Sequence, residues 1–189
     1  MAAPLRFYIL LSLTLISTHL TTIHGVFSEQ SHIMLPTYHH HTEKMTRLHF
    51  FYHETLEPQN PTVVQIIDPP NSSKNAFGST FMMDSILTEG KELSSKPVGR
   101  AQGLFGLASL EDSGMVMLIN FVFTEGDYAG STLSLLGRNP VQDTVREIPI
   151  VGGTGVFRFA KGYAILKSLW DISSAKDFVV EYNITVSHP

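Results

Sequence analysis

The sequence contains no cysteine in 189 residues. Disulfides, thiolate metal sites and a cysteine nucleophile are thereby excluded. Charge is also sparse: Asp, Glu, Lys and Arg make up 16% of the chain, the net charge is −4, and no block of basic residues occurs. Such a composition does not build a phosphate-neutralising surface for nucleic acid. No apolar run reaches the ~20 residues of a membrane span. Beyond the first residues, no stretch carries the 3.6-residue repeat of an amphipathic helix. What is abundant is apolar side chains, 43% of the chain, ample for a core and too many for wholesale disorder.

Residues 1–25 read as a secretory signal, with Arg6 leading an apolar run at 7–16 broken only by Ser12 and Thr14, then polar and small residues up to Gly25. The expected location is therefore the extracellular space. Asn71-Ser72-Ser73 and Asn183-Ile184-Thr185 fit N-glycosylation acceptors. Residues 26–46 read as a flexible polar arm containing His39-His40-His41. Three adjacent histidines invite a metal, but the arm offers no further ligand, so neither metal nor cofactor is expected.

From residue 47 to 189 the pattern has period two. Strands are predicted at 45–54, 62–68, 78–87, 98–110, 115–124, 128–137, 144–151 continued by 156–168, and 178–187. Between them stand turn clusters such as Pro69-Pro70-Asn71, Glu111-Asp112-Ser113-Gly114 and Gly152-Gly153-Thr154-Gly155. Eight strands with short links predict an all-β, eight-stranded antiparallel barrel, since closure removes the exposed edges. Such a barrel has room for one small ligand in a central cavity. The stretch 115–123 is apolar on both faces, Met115, Met117, Ile119, Phe121 and Phe123 against Val116, Leu118 and Val122. One face serves the interior; the other wants cover, either from a second copy of the chain or from a loop or arm of its own.

Polar groups on dry faces are the candidate site. Glu54 shares parity with Leu48, Phe50 and Tyr52, and Arg146 with Ile148 and Ile150. A charge in low dielectric costs several kcal/mol unless paired, hydrated or used. Either both reach water at strand ends, or both face a ligand inside the barrel. Asp84 and Arg100 are further candidates within apolar segments. Gly152-Gly153-Thr154-Gly155 is not a dinucleotide loop, because no helix pattern or βαβ unit surrounds it. No Gly-x-Ser-x-Gly elbow occurs either.

Several blocks in this order resemble the plant dirigent proteins: Leu48-His49-Phe50-Phe51-Tyr52-His53-Glu54, Val98-Gly99-Arg100-Ala101-Gln102-Gly103, Gly130-Ser131-Thr132-Leu133, Gly137-Arg138-Asn139, Arg146 through Gly155, Phe157 through Tyr163, and Val180-Glu181-Tyr182. The resemblance implies an eight-stranded barrel, usually a trimer, in the plant apoplast. It implies a protein with no oxidative centre that holds phenoxy radicals made by a separate laccase or peroxidase, so that coupling of monolignol-type phenols gives one enantiomer of a lignan. Related pterocarpan synthases instead eliminate water from an isoflavanol through a quinone methide. By the same resemblance the pocket carboxylate falls on Glu54 and the pocket arginine on Arg146, both with catalytic roles. Asp84, Arg100, Phe105 and Asn139 fall on substrate-binding positions. Phe105 stands where the family has a tyrosine, Asn139 where lignan-forming members have an aspartate, and Asp84-Ser85-Ile86 where many have Asp-Asp-Pro. These departures set the chain among the dirigent-like branches. A barrel that merely binds phenolics is a third reading.

Overall fold

Period-two alternation becomes pleated strands whose inward side chains are buried and whose outward ones are wet. The computed structural model describes residues 28–32, 43–72, 74–174 and 176–189. The predicted signal and His39-His40-His41 lie outside them. Ten antiparallel strands follow in order: β1 Ser28–His32, β2 Lys44–Thr55, β3 Val63–Ile67, β4 Thr80–Thr88, β5 Pro97–Leu107, β6 Gly114–Phe123, β7 Thr132–Pro140, β8 Arg146–Thr154, β9 Lys161–Ser168 and β10 Asp177–His188. Pairing runs β2–β10–β9–β8–β7–β6–β5–β4, and residues 51–53 of β2 pair with 86–88 of β4. That last contact closes eight strands into a barrel, the predicted fold class.

The strand assignments differ from expectation in three places. The stretch predicted as 144–151 continued by 156–168 is two staves, β8 and β9. β8 extends to Thr154, so the reversal falls on the short 3-10 turn Gly155–Phe157 rather than on Gly152-Gly153. Gly155 adopts φ 61°, where a side chain is strained. Second, 62–68 is not a stave: β3 pairs only with residues 80–83 of β4. Third, β1 forms inside the predicted arm and pairs with residues 44–48 of β2. β1 and β3 thus cover edge that the short β2–β4 seam leaves unpaired, which blunts a site of edge-to-edge association.

Packing explains the glycine block of β5. Across the β5–β6 ladder Gly99 faces Phe123, Ala101 faces Phe121 and Gly103 faces Ile119. Small inward residues on one strand make room for large ones on the next. Phe121 and Phe50 meet edge-on at 5.1 Å, and Phe50 stacks on Tyr182 at 5.6 Å. These rings fill the barrel's waist. One end is sealed by Phe123, Tyr128 and Phe157, all buried. His188 completes that seal, edge-on to Phe157 and bonded through Nε2 to Thr46 Oγ1 at 2.9 Å.

Burial pushes the His188 pKa below its usual value, and that of His53 likewise. Below the ordinary histidine pKa of ~6.5 the unfolded chain gains protons that the native state refuses. The histidines' contribution is therefore full above about pH 6.5 and lost as pH falls toward the native pKa. Burial raises the Glu54 pKa, so that group destabilises in the opposite sense as pH rises. A His53→Gln/His188→Gln double variant isolates the histidines. Its melting temperature should fall less than wild type between pH 7.5 and 5.5 in thermal denaturation.

The outer face carries two contrasting rows. Val64, Met82, Leu104, Leu118 and Leu136 are register partners across β3 to β7, and all but the half-buried Leu104 are exposed. Beside them runs a polar row of Asp84, Gln102, Asn120 and Ser134. The two-sided apolar character of β6 therefore extends over five strands.

Candidate active site

At the end opposite the sealed one, inward side chains leave a cavity of about 290 Å³. Tyr52, Tyr182, Leu166 and Met117 line its depth, and Leu56, Trp170 and Phe178 its mouth. Phe81 and Phe105 form one wall, stacked at 4.9 Å with planes 13° apart. Trp170, the only tryptophan, stands edge-on to Phe178 at 6.4 Å. The lining is mostly apolar and aromatic, with few polar groups, as small-molecule sites are.

Those polar groups come from separate strands. Glu54 ends the dry face of β2, Asn139 lies near the end of β7, and Arg146 opens β8. All three line the cavity together with Phe105. Arg146 is 3% exposed and Asn139 5%. Arg146 Nη2 donates to Ser168 Oγ at 2.8 Å, and Asn139 Nδ2 to Met117 Sδ at 2.9 Å. Two buried atoms lack a partner: Arg146 Nε, a donor, and Asn139 Oδ1, an acceptor. Each such group costs ~1–3 kcal/mol when left unmet. A hydroxyl has the capacity to meet either kind of group, accepting from an N–H and donating to an amide oxygen.

Electrostatics separate the groups. Burial raises the Glu54 carboxyl pKa, and the hydrogen bond from Tyr52 Oη to Glu54 Oε2, 2.7 Å, offsets part of that rise. Burial pushes Arg146 downward, with Tyr182 and Asp143 opposing; a guanidinium nevertheless stays charged. Burial, chiefly, drives both Tyr52 and Tyr182 upward, so they remain neutral phenols. The cavity therefore holds a fixed cation beside a carboxyl whose pKa burial raises, groups suited to proton transfer. No cluster of three His, Asp or Glu residues suited to a metal occurs among the described residues.

Asp84 and Arg100 are not part of this site, contrary to the sequence expectation. They lie on the outer face, 52% and 44% exposed, paired with each other through Arg100 Nε and Asp84 Oδ1. A register shift opposite residues 87 and 88 makes Val98 an extra residue in β5. Parity counted from buried Val98 is consequently off by one, and Arg100 points out. Sequence reasoning also missed Trp170, Phe178 and Ser168. Trp170 sits in a loop with no period to read, and Ser168 gains meaning only through Arg146. Both glycosylation candidates are exposed, Asn71 in a turn and Asn183 on the outer face of β10.

A family model described as dirigent-like protein matches residues 45–187. The chain is 47% identical over 148 residues to dirigent protein 11 of Arabidopsis thaliana, covering 77% of this chain and 76% of that one. It is 42% identical over 188 residues to dirigent protein 21 of the same plant, covering 98% and 100%. It is 45% identical over 150 residues to pterocarpan synthase 1 of Glycine max, covering 77% and 80%. Among solved structures, a pterocarpan synthase dirigent protein superposes with TM-score 0.71 at 42% identity, covering 80% of this chain and 89% of the other. The sealed-end barrel and these matches lead to one conclusion: the chain belongs to the dirigent family.

Proposed function

We propose that the cavity holds one phenolic unit and fixes the stereochemical course of its coupling. The observation that carries this reading is the meeting, around one aromatic-walled cavity, of Arg146 and Asn139, each with a buried polar atom left unmet, and of Glu54, whose carboxyl pKa burial raises. A separate oxidase removes one electron and one proton from each phenol. The barrel shields one face of the resulting radical, so carbon–carbon bond formation occurs on the other. A difference of ~1.4 kcal/mol between the two approaches gives a tenfold bias. The coupled quinone methide closes when an internal hydroxyl adds to the methide carbon. Glu54 takes that hydroxyl's proton, and Arg146 stabilises the oxygen that gains charge as the ring regains aromaticity.

A second reading is favoured by the raised pKa of Glu54 and by the similarity to pterocarpan synthases. Here Glu54 in its acid form protonates the departing hydroxyl of an isoflavanol. Loss of water and of the phenol proton gives the quinone methide, which then closes. Two incubations separate the readings. Coniferyl alcohol with laccase should give an enantiomeric excess only when the protein is present under the first. An isoflavanol without oxidant should lose water and cyclise under the second. Racemic product in the one and unchanged isoflavanol in the other contradict both.

We further propose an extracellular, glycosylated homo-oligomer, a trimer by family resemblance, in which a second copy covers the row from Val64 to Leu136. The row is continuous and exposed on β3, β4, β6 and β7; Asn183 lies on β10, away from it. Leu118→Asp places a charge at the centre of the row and should yield monomers by sedimentation at micromolar concentration. An unchanged mass would refute this face as the interface.

A further inference from the structure

Glu54 is tied to a line of hydroxyls that runs through the buried Tyr52 and Ser85. Tyr52 Oη donates to its Oε2 at 2.7 Å, and the same phenol oxygen accepts from Ser85 Oγ at 3.3 Å. Ser85 Oγ lies 2.9 Å from Thr62 Oγ1, which accepts the Thr55 backbone N–H at 2.9 Å. Tyr52 and Glu54 stand on β2 and Ser85 on β4, while Thr62 precedes β3 at the barrel seam. Tyr52 is 4% exposed and Ser85 0%, so bulk water does not compete for the central Ser85–Tyr52 bond; Thr62 and Glu54 at the two ends are half-buried.

A hydroxyl has one proton to give and two lone pairs. With Glu54 ionised, the protons run from Thr62 to Ser85, from Ser85 to Tyr52 and from Tyr52 to the carboxylate. With Glu54 protonated, the order reverses: the acid donates to Tyr52, Tyr52 to Ser85 and Ser85 to Thr62. No link of the chain is broken in either state. The Thr55 N–H is a fixed donor at the far end. It leaves Thr62 one acceptor contact in the first order and two in the second, which favours the ionised state and opposes burial.

We infer that Tyr52, Ser85 and Thr62 form a reversible hydroxyl chain that positions Glu54 and sets the pH at which it changes between carboxylate and acid. The inference rests on the reading of Glu54 as the proton-transferring group. It makes Tyr52 and Ser85 positioning residues for that step. Other titratable or charged groups face the same carboxyl: Arg146 from β8 and Tyr182 from β10 across the cavity, and His53, Lys91, Glu92 and Asp177 around a depression on its outer side that Glu54 also borders. Substitutions within the hydroxyl chain leave all of these in place.

The test is the carboxyl titration of Glu54, read by NMR on protein labelled at glutamate side chains, with Glu54→Gln assigning the signal. Tyr52→Phe removes the donor, and the midpoint should rise by about one pH unit, the worth of a hydrogen bond to a charged group. Ser85→Ala, which does not touch Glu54, should raise it by a smaller amount, and Ser85→Thr should restore it. A midpoint that stays put or falls in both Tyr52→Phe and Ser85→Ala overturns the inference. If Tyr52→Phe fails to fold, Ser85→Ala and Ser85→Thr decide alone. The pH profile of product selectivity should move upward with the titration. The titration needs no substrate, so a wild-type protein that acts on neither coniferyl alcohol nor isoflavanol overturns the proposed function while the midpoints still judge the chain.

Discussion

Glu54→Gln is expected to cripple the proton transfer in the cavity while leaving the barrel folded. Glutamine keeps the size of the side chain and still accepts the hydrogen bond from Tyr52 Oη that Glu54 Oε2 accepts. What it loses is the exchangeable carboxyl proton. Loss of a general acid or base typically costs ~10²–10⁴ in rate. In the dehydration reading turnover should fall by that factor. In the coupling reading the oxidase continues to consume phenol, and the enantiomeric excess should erode, because ring closure loses its proton acceptor in the cavity. Arg146→Leu should weaken phenol binding in either case, because the buried guanidinium is the only charged donor among the described residues of the cavity lining. The control is Glu181→Gln on the outer face, where Glu181 pairs with His49 at 2.8 Å; selectivity there should be unchanged. Full selectivity and turnover in correctly folded Glu54→Gln and Arg146→Leu would place the chemistry elsewhere.

Gly103→Val is expected to destroy the fold. A Cβ at position 103 would collide with the Leu118 carbonyl oxygen of β6, and with Ile119 Cα close behind. Neither is the end of a flexible side chain, so relief requires moving the β5–β6 ladder. Overpacking of a core typically costs 1–3 kcal/mol where side chains can adjust. Backbone against backbone costs more, a large share of the ~5–15 kcal/mol that holds a domain together. Urea denaturation should show Gly103→Val unfolded without denaturant or with a sharply lowered midpoint. Gly152→Ala is the comparison: nothing lies within 4 Å of its added Cβ, and its midpoint should be near wild type. Equal midpoints for the two variants would remove the close-approach explanation of the glycine block.

These two variants mark what could be read from the sequence. The parity of Glu54 with Leu48, Phe50 and Tyr52, and of Arg146 with Ile148 and Ile150, survives folding because β2 and the start of β8 run in unbroken register against their neighbours. By sequence Arg100 is a candidate only because it lies within an apolar segment, and an extra residue in β5 that nothing in the sequence marks leaves no steady parity there from which to place it. Asp84, on β4, lies outward against Gln102, opposite in parity to buried Met83 and Ser85. The glycine block was legible as a family pattern, but its cause, Gly103 against the Leu118 carbonyl and Ala101 against Phe121, exists only once β5 and β6 pair. The barrel could be anticipated from eight alternating stretches, whereas the seam could not. Its three-residue β2–β4 contact and the supporting β1 and β3 depend on which edges remain unpaired after closure. The hydroxyl chain lies between. Tyr52 shares a face with Glu54, two residues away, but Ser85 and Thr62 reach it only across the seam.

The central claim is that the cavity behind Trp170 receives a phenolic unit whose oxygen meets Arg146 and Asn139. A crystal structure of the protein with a bound monolignol or isoflavanol tests it most directly. The expected result places the aromatic ring against the Phe81–Phe105 wall, with its hydroxyl accepting from Arg146 Nε and donating to Asn139 Oδ1, and with Glu54 beside the carbon chain. A ligand bound outside the cavity, or inside it with both of those atoms still unpartnered, would contradict the account.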